Sequence, residues 1–158
     1  MIKLFNFLFI FTIVLFILKL IFTFSYFYKI NRLKKDEIDE NKYTIVQPIL
    51  SGDPRLQEDL TANLKNTTDM SFIWLVDKSD KVAISTVKNI LENKKYSNRL
   101  KVYYLDDVPQ EENPKIFKLE QVVDKIETEY TIILDDDTII DRKKLDELSI
   151  YEKDKSEW

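Results

Sequence analysis

The chain has 158 residues, with 24 Lys+Arg against 28 Asp+Glu, a single glycine (Gly52), and neither cysteine nor histidine. These counts exclude a disulfide framework, a Cys/His zinc site, a thiolate nucleophile, a Ser-His-Asp triad and every glycine-rich phosphate loop. Any catalysis must use carboxylates, lysines, hydroxyls or a metal held by oxygen ligands.

Residues 1–28 hold eight of the ten phenylalanines, and their only charged side chains are Lys3 and Lys19. The run 4–28 is apolar apart from Asn6, Thr12, Lys19, Thr23 and Ser25. At about 1.5 Å per residue a helix of this length spans roughly 37 Å, enough to cross a hydrocarbon core of about 30 Å with some tilt. Lys19 costs about 2.5–3.5 kcal/mol at a helix centre and less toward an end, where its stem can snorkel. A cleaved signal peptide needs small residues at its cleavage site, and the first alanine is Ala62. Tyr26 and Tyr28 suit a membrane interface, and Lys29, Arg32, Lys34 and Lys35 follow them. The positive-inside rule then puts the rest of the chain in the cytoplasm, behind a single uncleaved span.

Residues 29–158 carry 22 basic and 28 acidic side chains, a balance that argues against nucleic acid as a partner. Residues 29–42 read as a polar linker. After it, four β-rich runs recur about every 29 residues, the length of one strand-helix unit. They are residues 43–47 (YTIVQ), 71–77 (SFIWLVD), 100–105 (LKVYYL) and 130–134 (YTIIL). Their nearly continuous apolar character predicts strands covered on both faces. Between them lie apolar stripes at helical spacing: Leu56, Leu60 and Leu64; Ile84, Val87 and Leu91; Ile116, Leu119, Val123 and Ile126. The alternation predicts an α/β fold, a Rossmann-like doubly wound parallel sheet, preceded by one transmembrane helix. A further helix is expected over 142–148.

Ligands of such sheets bind beyond the carboxyl ends of the strands. Acids gather there: Asp77 and Asp80 after the second strand, Asp106 and Asp107 after the third, Asp135-Asp136-Asp137 after the fourth. Asp80, Asp106 and Asp107 read first as turn or cap residues. The triplet follows a buried run on a rigid element. If extended geometry persists, Asp135 and Asp137 share one side, where two carboxylates suit Mg²⁺ or Mn²⁺.

Four ordered segments over 43–140 resemble the nucleotide-binding half of a family-2-type glycosyltransferase with the GT-A fold, in particular the ceramide-glucosyltransferase-like branch. They are YTIVQPILSGDPRLQEDLTANL, FIWLVDKSD, NPKIFKLEQVV and the D-x-D triplet. The resemblance implies a membrane-anchored transferase that takes a UDP-sugar donor, uses Mg²⁺ or Mn²⁺, and acts on a lipid acceptor. It implies that Asp77 recognises the nucleoside, that Lys115 lies near the nucleotide, that Asp135 touches the nucleotide or metal shell, and that Asp137 ligates the metal. Pro114 fits the first turn of a helix.

The family's catalytic base and its Q-x-x-R-W-like segment have no match in Asp141, Asp146, Glu147, Glu152, Asp154 or the closing Glu157-Trp158, so no catalytic residue is assigned. The expected organisation is an anchor (1–28), a linker (29–42) and a partial GT-A domain (43–158), as in a truncated transferase. The alternative is a catalytically inactive, membrane-tethered nucleotide-binding or scaffold protein. A haloacid-dehalogenase-like phosphatase fits less well, because Ile139 stands where its D-x-D-x-T motif needs threonine. A receiver-like phosphoacceptor would want a lone aspartate after the third strand.

Overall fold

A computed structural model describes residues 2–32, 36–106, 108–109 and 111–155. The sequence candidates Lys34, Lys35, Asp107, Glu157 and Trp158 lie outside them. The chain divides into two compact units, Ile38–Leu145 and a second made of Met1–Glu37 with Asp146–Trp158.

The first unit holds a four-stranded, all-parallel sheet in the order β3-β2-β1-β4. Its strands are β1 (Tyr43–Ile49), β2 (Ser71–Asp77), β3 (Leu100–Leu105) and β4 (Tyr130–Ile133). The strand order reverses direction between β1 and β4, since β2 and β3 are added on one side of β1 and β4 on the other. That is a topological switch point, where ligand crevices open in α/β sheets.

The connecting helices are α2 (Leu56–Asn66), α3 (Lys81–Leu91) and the short α4 (Pro114–Glu120), whose first residue is the expected proline. Asn113 caps α4, accepting from the Lys115 and Ile116 N–H groups, and Asp80 caps α3 through the Ala83 N–H. Both caps follow from short polar side chains standing directly before a helix.

The core follows the register. Val46 pairs with Ile73, and both pack with Leu75, Val122 and the partly buried Tyr103, Leu105, Leu119 and Ile126. The alternate residues of β1 and β2, among them Ile45, Gln47, Ile49, Phe72, Trp74 and Val76, face the other side and are fully buried. Burial on both faces therefore holds for the inner strands. It fails at the rims, where β3 is only partly covered and β4 alternates between half-buried and exposed residues. Edge strands have one neighbour, and apolar composition alone does not distinguish them from inner ones.

Two helical stripes differ from expectation. In α3 the buried residues are Ala83, Val87 and Ile90, and Ile84 and Leu91 sit half-buried at the flank. Ile116, within α4, is on its open side at 54% exposed, and beyond α4 the chain leaves helical geometry, so Val123 is 59% exposed while Val122 is fully buried. Residues 142–147 form a 3-10 turn instead of an α-helix.

The second unit contains α1 (Ile2–Arg32) and α5 (Leu148–Lys155). Over Asn6–Lys29, α1 is long and apolar enough to cross a membrane, and none of that face is buried within the protein. Thr12 satisfies its hydroxyl by donating to the Leu8 carbonyl at 2.9 Å. Such back-bonding lets a polar side chain sit in an apolar helix.

Candidate functional site

The carboxyl edge of the sheet gathers the sequence candidates from β2, β4 and α4. Each acid there has its own environment.

Asp135 follows β4, and its carboxylate takes the Lys115 ammonium at 2.5 Å. Both side chains are open to solvent, so this pair contributes little stability and its partners can be exchanged. The extended geometry expected of the triplet does not persist. β4 ends at Ile133, and Asp136 and Asp137 lie in a turn closed by the Thr138 N–H to the Asp135 carbonyl at 3.2 Å. Asp136 turns toward the loop after β1 and accepts from the Leu50 N–H at 2.7 Å. Burial pushes its carboxyl above the usual carboxylate range, the Leu50 N–H and its own N–H pull the other way, and repulsion from Asp137 and Asp135 adds to the rise. Asp137 is exposed, and its Oδ1 accepts from the Thr138 hydroxyl at 3.3 Å.

Asp77 closes β2. Its Oδ2 accepts from Lys118 Nζ at 2.9 Å, with the side chains 19% and 3% exposed, and its Oδ1 is buried without a hydrogen-bond partner among the described residues. Lys118 is the residue that sequence reasoning missed. The available signal was a lysine set between Phe117 and Leu119, four positions before the buried Val122. Lys115 and Lys118 are three residues apart on α4, so one short helix meets acids from two strands. β2 and β4 flank β1, which separates their ends by about 10 Å at normal strand spacing.

Asp80 behaves as the cap it resembles. Its Oδ1 accepts from Ala83 and its Oδ2 from the Ser51 N–H at 2.9 Å, tying the loop after β1 to α3. Burial opposes its charge, but N–H donors from Ala83, Ser51 and Val82, with the Ser51 side chain, hold the carboxyl below its usual range. Asp106 pairs with Lys78 at 2.6 Å on the surface.

Buried amides position the acidic turn. Gln47 accepts from the Trp74 indole N–H at 3.0 Å and donates to the Asp135 carbonyl at 3.4 Å. Asn63 is fully buried on α2, donating to the Thr138 carbonyl and accepting from the Ile140 N–H, each at 2.8 Å. It treats the segment after the triplet as a neighbouring strand would. Asn66 adds a bond to the Ile140 carbonyl at 2.8 Å.

Among the described residues no three acidic side chains converge on a metal-sized site. Asp135 and Asp137 do supply hard oxygen donors, and Mg²⁺ commonly takes only one or two carboxylates beside substrate phosphates. A cavity of about 70 Å³, lined by Thr44, Ser71, Arg99, Lys101 and Lys125 among others, opens at the opposite, amino-terminal edge of the sheet.

Among solved structures, the chain is similar to the mannosyltransferase PcManGT from Pyrobaculum calidifontis, determined in complex with GDP-Man and Mn²⁺. The two are 14% identical with a TM-score of 0.55, over 81% of this chain and 39% of that one. The likeness shows a glycosyltransferase-like fold. The chain spans about two-fifths (39%) of the neighbour's length. No protein-family model and no curated protein matches it.

Proposed function

We propose that the chain is the donor-binding part of a membrane-anchored glycosyltransferase, of the family-2, ceramide-glucosyltransferase-like kind, taking a nucleoside-diphospho-sugar at the carboxyl edge of its sheet. The observation that carries this is the junction of Lys115 with Asp135 beside the switch point of a glycosyltransferase-like sheet, with Asp77 on the same edge. Asp77 meets the nucleoside, and Lys115 gives a mobile positive charge to the diphosphate as Asp135 exchanges partners. Asp135 and Asp137 would hold Mg²⁺ or Mn²⁺, which neutralises charge developing on the leaving diphosphate. The resemblance of FIWLVDKSD favours a UDP-sugar, whereas the structural neighbour holds GDP-Man. A lipid acceptor suits a site tethered to the bilayer through Asn6–Lys29.

A second reading, an inactive nucleotide-binding or scaffold protein, draws on the fact that Asp77 and Asp135 already have lysine partners within the chain.

Titrating full-length protein in detergent with UDP and GDP, with and without Mn²⁺, tests the proposal. Metal-dependent binding is expected, and Asp137→Ala should weaken it by about tenfold or more, the scale of losing a charged contact. Metal-independent binding that survives this substitution sinks the metal assignment. The scaffold reading instead expects Asp77→Ala, Asp135→Ala and Asp137→Ala to leave every ligand interaction unchanged.

A further inference from the structure

Lys118 presents a physical puzzle. Its side chain is 3% exposed, and it is paired at 2.9 Å with a carboxylate that is itself 19% exposed. Desolvating two charges offsets most of their attraction, so an apolar pair of similar volume would hold α4 against the sheet at least as well. A pair retained for structure alone would also be expected to satisfy both carboxylate oxygens. Here Lys118 engages Oδ2, and Oδ1 is buried with no donor among the described residues.

We propose that Lys118 is a positioning and specificity-determining residue of the nucleoside subsite, supplying the counter-charge of Asp77 so that this carboxylate accepts a neutral donor from the ligand. The inference rests on the nucleotide-binding reading above and deepens it. With its charge balanced from inside the fold, Asp77 has no need of a cation. What it lacks is an N–H or O–H for Oδ1. The last torsion of an aspartate is broad and roughly two-fold, so a small turn of the carboxyl brings that oxygen to the open part of the side chain. Lys118 can keep its bond through such a turn, because an ammonium carries three donors on a flexible stem. The matching ligand group is a base N–H or a ribose hydroxyl of a nucleoside diphosphate. Lys115, one turn earlier on α4, faces the acid after β4, so the same helix fits the nucleoside end and the diphosphate end of one ligand.

The test measures dissociation constants for UDP, GDP and inorganic pyrophosphate, with Mn²⁺ present, on full-length wild type, Lys118→Met, Asp77→Asn and the double variant in detergent. Lys118→Met is expected to weaken the preferred nucleotide about tenfold and to leave pyrophosphate unchanged. The double variant should bind no more weakly than Asp77→Asn alone, because Lys118 acts through Asp77. It contains no unpaired buried charge, so it remains informative if Lys118→Met does not fold. N3-methyl-UDP and 2′-deoxy-UDP distinguish the donors: the substitution should cost nothing further with whichever analogue lacks the group bound by Asp77. Wild-type nucleotide affinity in Lys118→Met, equal losses for nucleotide and pyrophosphate, or a further loss in the double variant overturns the assignment alone. Wild-type protein that binds neither UDP nor GDP overturns the nucleotide reading and this inference with it.

Discussion

Glu40 is a buried acid placed just before β1, and its carboxylate is built into the fold. It accepts from the Thr68 and Asp69 N–H groups at 2.5 and 2.9 Å and pairs with Arg142. Burial opposes its charge, but the Asp69 and Thr68 donors and the Arg142 guanidinium together hold the carboxyl below its ordinary value of 4.5. The native state therefore binds fewer protons than the unfolded chain in that range. The stabilisation is fully present above about pH 4.5 and is lost as pH falls through the lower folded value. Asp136 has the opposite sign: its raised value means a contribution present below the ordinary 3.8 that is lost as pH rises through the folded value. Glu40→Gln is expected to cost about 1–3 kcal/mol at pH 7, the usual penalty for disrupting charged hydrogen bonds to buried donors. Urea unfolding of both proteins at pH 7 and pH 3 checks this, and the difference should shrink at the lower pH. Some of this scale was legible in the chain. Asp80 and Asn113 stand directly before helices, so their capping follows from local order. Glu40 and Lys118 were not legible, because their partners Arg142 and Asp77 lie 102 and 41 residues away and nothing local signals the pairing.

At the scale of elements, the β-strands were legible because TIVQ and FIWLV are long, apolar and bounded by polar turns, and burial on two faces leaves little choice of conformation. The faces of the helices were less so. A stripe drawn at constant helical spacing through Ile116, Leu119, Val123 and Ile126 assumes that α4 continues, but the helix stops at Glu120 and a 3-10 turn begins at Val123. Changing from 3.6 to about 3 residues per turn rotates every later side chain. Val122, in the turn between the two helical segments, joins Val46, Ile73 and Leu75 in the core. Two adjacent valines with opposite environments make a controlled comparison. Val122→Ala should destabilise by about 2 kcal/mol through lost burial and a residual cavity, whereas Val123→Ala should stay within about 0.5 kcal/mol. Thermal or denaturant unfolding of the two variants decides the register. Equal effects would mean that the periodic stripe is the true core face.

For the whole molecule, the parallel α/β architecture and the long apolar helix were legible because each rests on tens of residues of patterned hydrophobicity. The convergence of Asp135 with Lys115 was harder to read: it depends on α4 and β4 meeting at one edge, a relation between elements 20 residues apart. Which side of a membrane that edge faces is a separate electrostatic question. We propose a cytoplasmic location, since Lys29, Arg32, Lys34 and Lys35 follow the apolar run directly. Holding four basic side chains on the cytoplasmic side is the favoured insertion outcome. The chain supplies its own probe position. It has no cysteine, and Gly52 is exposed, has no positive φ, and has nothing within 4 Å of where a Cβ would stand. Gly52→Cys should therefore fold normally and give a single reactive thiol beside the acidic edge. In intact cells a membrane-impermeant maleimide should leave it unlabelled, and in inverted vesicles it should react fully. Recovery of the protein in the membrane fraction after an alkaline wash should accompany this pattern. Labelling in intact cells would place the sheet outside, and release by the wash would show that the helix does not span the bilayer.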